Sequence, residues 1–438
     1  MSSREPLAGS VVGTGLRQAL AALVQLGSVV LIARLLGVDG NGMYASALLL
    51  PGLLTTILVL GLPASAVYFL APDHAPRQAV LAVLQRLALR LCVAGLAIGA
   101  VFVGWLAPSL LPGVPRTAQW IALSTFPTSF ASALLLSVLQ AEGRFREYNR
   151  LALAGPVLTL TLVGAAALAD LRSPAFMVAA AAGAQACVVF VQWHAVVRGR
   201  RRAVASEFAG DAPELQRQIV RYGVRAHAAN VVAHLNYRAD MYFIALLSGN
   251  VAMGLYALAV QFSERLFIVS QAGSTVLLPV LTSLADQPER ARELAAFAAR
   301  WSLLATVAAA FSLYVALQVL TPILFGAQYV GAGPLLAILF AGAAITGLSR
   351  ILANAVAAAG KPAANAWAAA LGACFNVLLC VTLVPSFGAV GAAIASLVGF
   401  AVQAAVTVVA WCQLTGAGLR DLVDPRGDLA RLRELRAR

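Results

Sequence analysis

Runs of about 20 consecutive apolar residues, each long enough to carry a helix through bilayer hydrocarbon, recur from one end of this chain to the other. We count twelve, at approximately 15–37, 43–70, 84–107, 117–140, 151–170, 174–197, 222–247, 252–281, 299–321, 333–358, 364–385 and 388–413. Hydrocarbon offers no water to backbone N–H and C=O groups, so only helices or a closed barrel can span it. Alternation with period two is absent from the runs, and Ala, Leu and Val dominate them, which selects helices. The chain is therefore expected to be all-α and integral to a membrane. Only 11% of its 438 residues are charged, where soluble domains carry roughly a quarter.

The formal net charge is +13. In a soluble chain that balance would suggest nucleic acid, but here the arginines sort by side, so no nucleic-acid partner is expected. The odd-numbered loops are nearly bare of positive charge, holding Arg116 and Arg172. The even-numbered ones hold Arg77 and Arg86, then Arg144, Arg146 and Arg150, then Arg198, Arg200, Arg201 and Arg202, then Arg290 and Arg292, and Lys361. Arg4 and Arg17 at one end and Arg431, Arg433, Arg436 and Arg438 at the other join the even group. By the positive-inside rule both termini face the cytoplasm, as an even number of spans requires.

All six tryptophans, Trp105, Trp120, Trp193, Trp301, Trp367 and Trp411, fall near expected span ends, where amphipathic rings settle at the interface. Cys92, Cys187, Cys374, Cys380 and Cys412 lie inside spans without metal-ligand spacing, so they are expected to pack helices, and no metal or other cofactor is expected. The first apolar run is too long for a signal-peptide core and has no small-residue cleavage site, so it counts as a retained helix.

Two echoes divide the chain. "ARLLGVDGNGMYASA" at Ala33 to Ala47 returns as "ALLSGNVAMGLYALA" at Ala245 to Ala259, aligning Gly37 with Gly249, Gly42 with Gly254 and Tyr44 with Tyr256 at an offset of 212 residues. "LQAEGRFREYN" returns as "VAAAGKPAANA", aligning Gly143 with Gly360 and Arg144 with Lys361 at an offset of 217, and further on Gly155 with Gly372. Two ordered echoes at nearly equal spacing imply an internal duplication of six spans. An even number of spans returns the chain to its starting side, so the halves share one orientation, the parallel-repeat plan of many secondary transporters. The expected domains are an N-terminal six-helix lobe (1–197), a cytoplasmic linker (198–218), a C-terminal six-helix lobe (219–414) and a cytoplasmic tail (415–438). The linker's basic cluster serves as a topology anchor or touches anionic headgroups, at about 1 kcal/mol per charge.

Polar groups inside spans are the informative residues, because the bilayer penalises them. His227, Asn230, His234 and Arg238 recur at helical spacing along one face of span 7, and Asp240 points elsewhere. Span 1 presents Gln18, Gln25 and Ser28 as a stripe; span 8 has Gln261, Glu264, Gln271 and Thr275 with Arg265 beside them; span 10 carries Arg350. At 1.5 Å per residue, Arg238 and Arg265 fall roughly 14 and 20 Å from the outer ends of their spans, near the midplane. Three such arginines facing lipid, with Arg350, would cost about 8–10 kcal/mol together, so they are expected to face a wet cavity. Arg34 stands close enough to its helix end to snorkel. For Asp240 and Glu264 two readings stand together, neutralisation of nearby arginines and coupling of an ion; His227 and His234 weigh toward packing histidines over a proton relay. "GSVVGTG" at Gly9 to Gly15 lacks the strand and the Lys-Ser/Thr ending of a phosphate loop, and is a helix start. "GAVGAAIAS" at Gly388 to Ser396 has the small-residue spacing of helix packing.

The stretches "LIARLLGVDGNGMYA", "NYRADMYFIALLSGNVAMGLYALA", "LLPVLTSLA", "AAAGKPAANAW" and "FGAVGAAIASLVG" resemble the multidrug/oligosaccharidyl-lipid/polysaccharide exporter superfamily, in its polysaccharide-exporter and O-antigen flippase branch, over nearly the whole chain. The resemblance implies a MATE-like fold, twelve helices in two six-helix lobes around a central cavity lined by spans 1, 2, 7 and 8. It implies a flippase of the bacterial cytoplasmic membrane that moves undecaprenyl-diphosphate-linked oligosaccharide from the inner to the outer leaflet by alternating access. Arg34, Arg238, Arg265 and Arg350, with Gln25 and His234, would then meet the polyprenyl-diphosphate-linked glycan, the polyprenyl tail remaining in the lipid bilayer. Asp240 and Glu264 would couple an ion or balance charge. A polysaccharide polymerase or glycosyltransferases are the proteins such a flippase would associate with.

A polyprenyl-dependent membrane enzyme would need a sizeable outer loop with catalytic groups, and the longest outer loops here hold about a dozen residues, so no enzyme and no catalytic residue is expected. The alternative is a multidrug or other small-molecule antiporter of the same superfamily. Its cationic cargo favours acidic or neutral cavities, whereas these spans are net basic.

Overall fold

The computed structural model describes residues 7–71, 76–200, 212–284 and 286–423, with backbone alone at 7–19 and at a few other positions. Most of the linker, the tail beyond Val423, Arg4, and the side chains of Arg17, Gln18 and Thr275 lie outside the described residues. Every regular element among the described residues is helical. In chain order they are α1 (Leu7–Leu58), α2 (Leu62–Phe69), α3 (Arg77–Val101), α4 (Ala107–Leu110), α5 (Arg116–Leu123), α6 (Thr125–Ala141), α7 (Phe145–Leu168) and α8 (Pro174–Arg200). Then follow α9 (Ala212–Leu247), α10 (Gly249–Ser283), α11 (Pro288–Leu324), α12 (Gly333–Ala358), α13 (Pro362–Thr415) and α14 (Leu419–Val423). A π turn at Phe102–Leu106 joins α3 to α4, and a 3-10 turn at Ala327–Ala332 leads into α12. Gly9 to Gly15 lies within α1.

Nine helices among the described residues are long and apolar enough to cross a membrane. The difference from the twelve runs of the sequence has two sources. The histidines, asparagines, Arg238 and Asp240 of α9 make it the polar helix of the set, and two helices each carry two of the runs through a break. α13 has 54 residues, roughly 80 Å of helix against about 30 Å of hydrocarbon. Its backbone leaves the helical region at Gly388 (φ 53°, ψ −132°), as that of α1 does at Gly37 (φ 67°, ψ −176°).

The Gly388 break makes α13 a hairpin. A Cβ at Gly391 would overlap the Leu383 carbonyl oxygen, although eight residues of continuous helix would separate the two by about 12 Å. Farther from the turn, Asn376 Nδ2 donates to Ser396 Oγ at 3.3 Å, and a Cβ at Gly372 would stand 2.7 Å from the Gly399 oxygen. Contacts that pair early residues with late ones around one centre are those of two antiparallel helices.

The duplicated segments share backbone conformation as well as residues. Gly37 and Gly249 both take positive φ (67° and 78°), as do Gly143 and Gly360 (68° and 80°). After α6 the Arg144 N–H donates to the Leu139 oxygen and the Gly143 N–H to that of Gln140; after α12 the Lys361 N–H donates to Val356 and the Gly360 N–H to Ala357. Both are glycine-terminated helix ends whose last carbonyls are satisfied from beyond the helix.

The chain divides into two compact units, one of residues up to Val231 with Gly249–Gly254, the other of Val232–Ser248 with Leu255 onward. The division falls within α9. In the first unit Leu62, Phe69, Val80, Leu84, Phe126 and Phe130 form the core, and Leu215 and Ile219 on the N-terminal part of α9 join it. Ser65 Oγ donates to the Ile219 oxygen at 2.8 Å and His227 Nε2 to the Thr56 oxygen at 2.6 Å. Asn230 donates to His227 Nδ1 at 3.4 Å, so both ring nitrogens are engaged by structural partners. Also in this unit, Gly42 and Gly254 meet: a Cβ on Gly42 would overlap the Asn250 oxygen, one on Gly254 the Val38 oxygen. Each clash is the image of the other under the 212-residue repeat.

In the second unit α12 is the most buried span. Leu277, Leu281, Ile351, Leu352 and Trp411 pack together there. Trp411 is fully buried, unlike the other five tryptophans, which are 40% to 85% exposed. Its place near a span end suggests an interfacial ring, but α10, α11 and α12 cover it.

Candidate functional site

The polar groups of the second unit converge on one face of α10. Glu264, Phe267, Gln271 and Ser274 follow each other at intervals of three and four residues, which aligns them along the helix. The C-terminal part of α9 and the middle of α12 supply their partners. Arg238 Nη2 lies 2.7 Å from Glu264 Oε1, both side chains being about one-third exposed (33% and 34%). Arg350 Nη1 donates to Gln271 Oε1 at 2.8 Å, and its guanidinium sits over the Phe267 ring, 5.3 Å from the centroid. No carboxylate pairs with Arg350 among the described residues. Asn354, one turn along α12, donates to Ser274 Oγ at 2.7 Å. Tyr237 touches both Phe267 and Phe400, with ring centroids 5.5 and 5.6 Å apart.

The partly exposed rings of Tyr237 and Phe267, backed by the buried Phe400, therefore lie beside two guanidinium groups, one neutralised by a carboxylate and one held by an amide. Such a surface offers charge-assisted donors to an anion and flat apolar faces to a ring.

Asp240 belongs to a second, buried cluster. It is 3% exposed and accepts from the Tyr256 hydroxyl, from Ser396 Oγ at 2.6 Å and from the Met241 N–H at 2.7 Å. Asn376 bonds Ser396 and reaches the Asn236 oxygen at 3.3 Å; Cys380 Sγ donates to Asn376 Oδ1 at 3.2 Å; Asn236 donates to Gln403 Oε1 at 2.7 Å. Of the two acids set against arginines in the sequence, Glu264 takes an arginine and Asp240 takes hydroxyls. Burying an ionisable group in so complete a shell of donors is costly unless each bond is made.

The remaining expected residues lie apart. His234 Nε2 is 3.2 Å from the Tyr242 hydroxyl. Arg265 is half-buried and, as the neighbour of Glu264, points about 100° round α10 from it. Gln25 and Arg34 stand exposed on α1 in the first unit. Tyr237, Asn376 and Gln403, with Tyr256 and Ser396 that the sequence marks only as a repeat partner and the end of a small-residue stretch, carry the two clusters without a site role expected of any of them. Asn376 and Gln403 were the detectable ones, as polar residues in otherwise apolar spans. Among the described residues no group of three His, Cys, Asp or Glu comes together as a metal-ligand set.

Residues 8–285 match the family described as polysaccharide biosynthesis protein. No protein of curated function matches the sequence. Among solved structures the chain is similar to the lipid II flippase MurJ in an inward closed conformation, with a TM-score of 0.74 and 14% identity over 94% of this chain and 90% of that one. It is similar to the MATE multidrug transporter DinF-BH, at 0.63 and 15% over 92% and 94%. It is also similar to an outward-facing MATE family multidrug resistance transporter of the MOP superfamily, at 0.61 and 14% over 94% and 97%. At these identities the structural likeness is one of fold, and the family match covers well over half of the sequence. The chain thus belongs to the polysaccharide biosynthesis protein family, within the multidrug/oligosaccharidyl-lipid/polysaccharide exporter superfamily, and has that superfamily's all-helical membrane fold.

Proposed function

We propose that this protein is a flippase that carries polyprenyl-diphosphate-linked oligosaccharide from the inner to the outer leaflet of a bacterial cytoplasmic membrane by alternating access. The observation that carries the reading is Arg350, a guanidinium within an apolar span, held by Gln271 and Phe267 and left without a carboxylate among the described residues. An arginine so placed keeps its charge for an anionic ligand, and a diphosphate is the anion that a lipid-linked saccharide presents. The partly exposed rings of Tyr237 and Phe267 suit the apolar faces of sugar rings. The family match and the fold likeness to a lipid II flippase support the same direction. In this reading both termini face the cytoplasm, Arg238, Arg265 and His234 in the second unit and Arg34 and Gln25 in the first are each proposed to meet the cargo, and Asp240 and Glu264 balance charge or couple an ion.

The test is complementation of a deletion strain with Arg350→Gln, scoring lipid-linked saccharide that becomes accessible to a membrane-impermeant label outside. Loss of one charge-assisted contact, about 1.5–3 kcal/mol, should slow its appearance roughly 10- to 100-fold. Appearance at the rate of the unaltered protein would remove the proposal.

A second reading, a small-molecule antiporter, draws on Asp240 and Glu264 in the second unit and on the fold likeness to MATE transporters. It requires Arg350→Gln to leave glycan export intact and to improve efflux of a cationic drug.

A further inference from the structure

A cleft of about 720 Å³ opens in the first unit. Glu142, Arg144 and Glu147 line it, in a chain of ion pairs that begins outside it: Arg77 bonds Glu142, Glu142 bonds Arg144 at 3.0 Å, and Arg144 bonds Glu147. Arg144 also donates to the Ala195 oxygen at 2.9 Å, tying the start of α7 to α8. Burial works against the Arg144 charge, but its bonds to Glu147 and Glu142 outweigh burial and hold its pKa above arginine's usual value.

The wall of the cleft is α8, and it is amphiphilic along its length. Phe190 and Val191 are 64% and 51% exposed. His194 and Arg198 follow on the same side, one and two turns on. Measured from Pro174, Phe190 lies about 24 Å along the helix, His194 about 30 Å and Arg198 about 36 Å. Hydrocarbon about 30 Å thick therefore ends near His194, and the exposed Trp193 marks the same level. The cleft straddles the boundary, with bare apolar side chains below it and charges above.

The polar atoms define a headgroup. Arg198 is exposed and forms no ion pair among the described residues, so it is available to a phosphate. His194 Nδ1 is 3.0 Å from the Phe190 oxygen and donates to it. That tautomer leaves Nε2 as an acceptor, suited to a hydroxyl, as is the half-exposed Glu147 carboxylate. Among the lining residues Arg144 is taken up by Glu142 and Glu147, so Arg198 is the one cation left for a ligand, which matches a single phosphodiester better than a doubly charged diphosphate.

We propose that this cleft binds a bilayer phospholipid with a hydroxylated headgroup, phosphatidylglycerol, its phosphate on Arg198, its glycerol hydroxyls on His194 and Glu147, and its acyl chains along Phe190 and Val191. The inference stands apart from the cargo reading. Titration of the full-length, detergent-solubilised protein with phosphatidylglycerol, followed by native mass spectrometry, tests it. One saturable site is expected, weakened about fivefold by Arg198→Gln, as one basic group near a phosphate surface is worth. His194→Ala should reduce the preference for phosphatidylglycerol over phosphatidylcholine, Glu147 and Arg198 keeping the remainder. Arg172→Gln, at an exposed pair with Asp170, should leave binding unchanged. Equal binding by the Arg198→Gln variant, equal weakening by Arg172→Gln, displacement by millimolar inorganic phosphate, or stronger binding of a polyprenyl diphosphate in the same cleft would each overturn the assignment.

Discussion

Replacing Gly42 by alanine should force two closely apposed backbones apart. The added Cβ would stand 2.6 Å from the Asn250 carbonyl carbon and 3.0 Å from the Gly254 nitrogen. In Gly254→Ala it would stand 2.9 Å from the Val38 carbonyl carbon and 3.2 Å from the Gly42 nitrogen. Carbon atoms in ordinary contact stay about 3.5–4.0 Å apart, so either substitution forces the segments apart by roughly 1 Å. The atoms in the way are main chain, which cannot swing aside as a long side chain would. Overpacking of this kind costs about 1–3 kcal/mol. The bond from Asn41 Nδ2 to the Gly254 oxygen, already 3.3 Å, would lengthen out of range. Because both clashes are relieved by the same separation, Gly42→Ala with Gly254→Ala should cost about as much as the worse single variant. Denaturation in mild detergent, followed by tryptophan fluorescence, measures all three. Losses that add, or a single variant as stable as the parent, would show that the two glycines are not one contact.

Two further outcomes are expected. Arg238→Gln and Glu264→Gln should each destabilise more than the double variant does, with a coupling of about 1–2 kcal/mol on a thermal unfolding cycle; simple addition would mean that the ion pair contributes nothing. Tyr256→Phe and Ser396→Ala each remove a donor from Asp240 and should each cost about 1.5–3 kcal/mol in the same assay, whereas a neutral result at either position would show that the buried carboxylate does not depend on that hydroxyl.

The residues best seen in advance are those whose backbone left little choice. Gly37 and Gly249, or Gly143 and Gly360, recur because a positive φ admits few other side chains, so a conformation leaves a visible mark in the letters. The stripe of His227, Asn230, His234 and Arg238 was equally visible as a face of one helix, but not its division: His227 turns to Thr56 in the first unit and Arg238 to Glu264 in the second. Partners far along the chain stay hidden from periodicity. Tyr256 is 16 residues from Asp240 and Ser396 is 156, and nothing in the local pattern of either span announces that meeting. Trp411 shows the same limit from the apolar side, since position along a span says how deep a ring lies and not which way it faces.

The turn at Gly388 also bears on how the protein is made. Asn376, wholly buried, finds Ser396 only after the second arm of α13 has been synthesised. A nascent chain paused at Phe387 would offer that amide only the Asn236 oxygen and the Cys380 thiol, so its last bond, and the link it makes to the Asp240 cluster through Ser396, waits until residues 362–415 close as one hairpin.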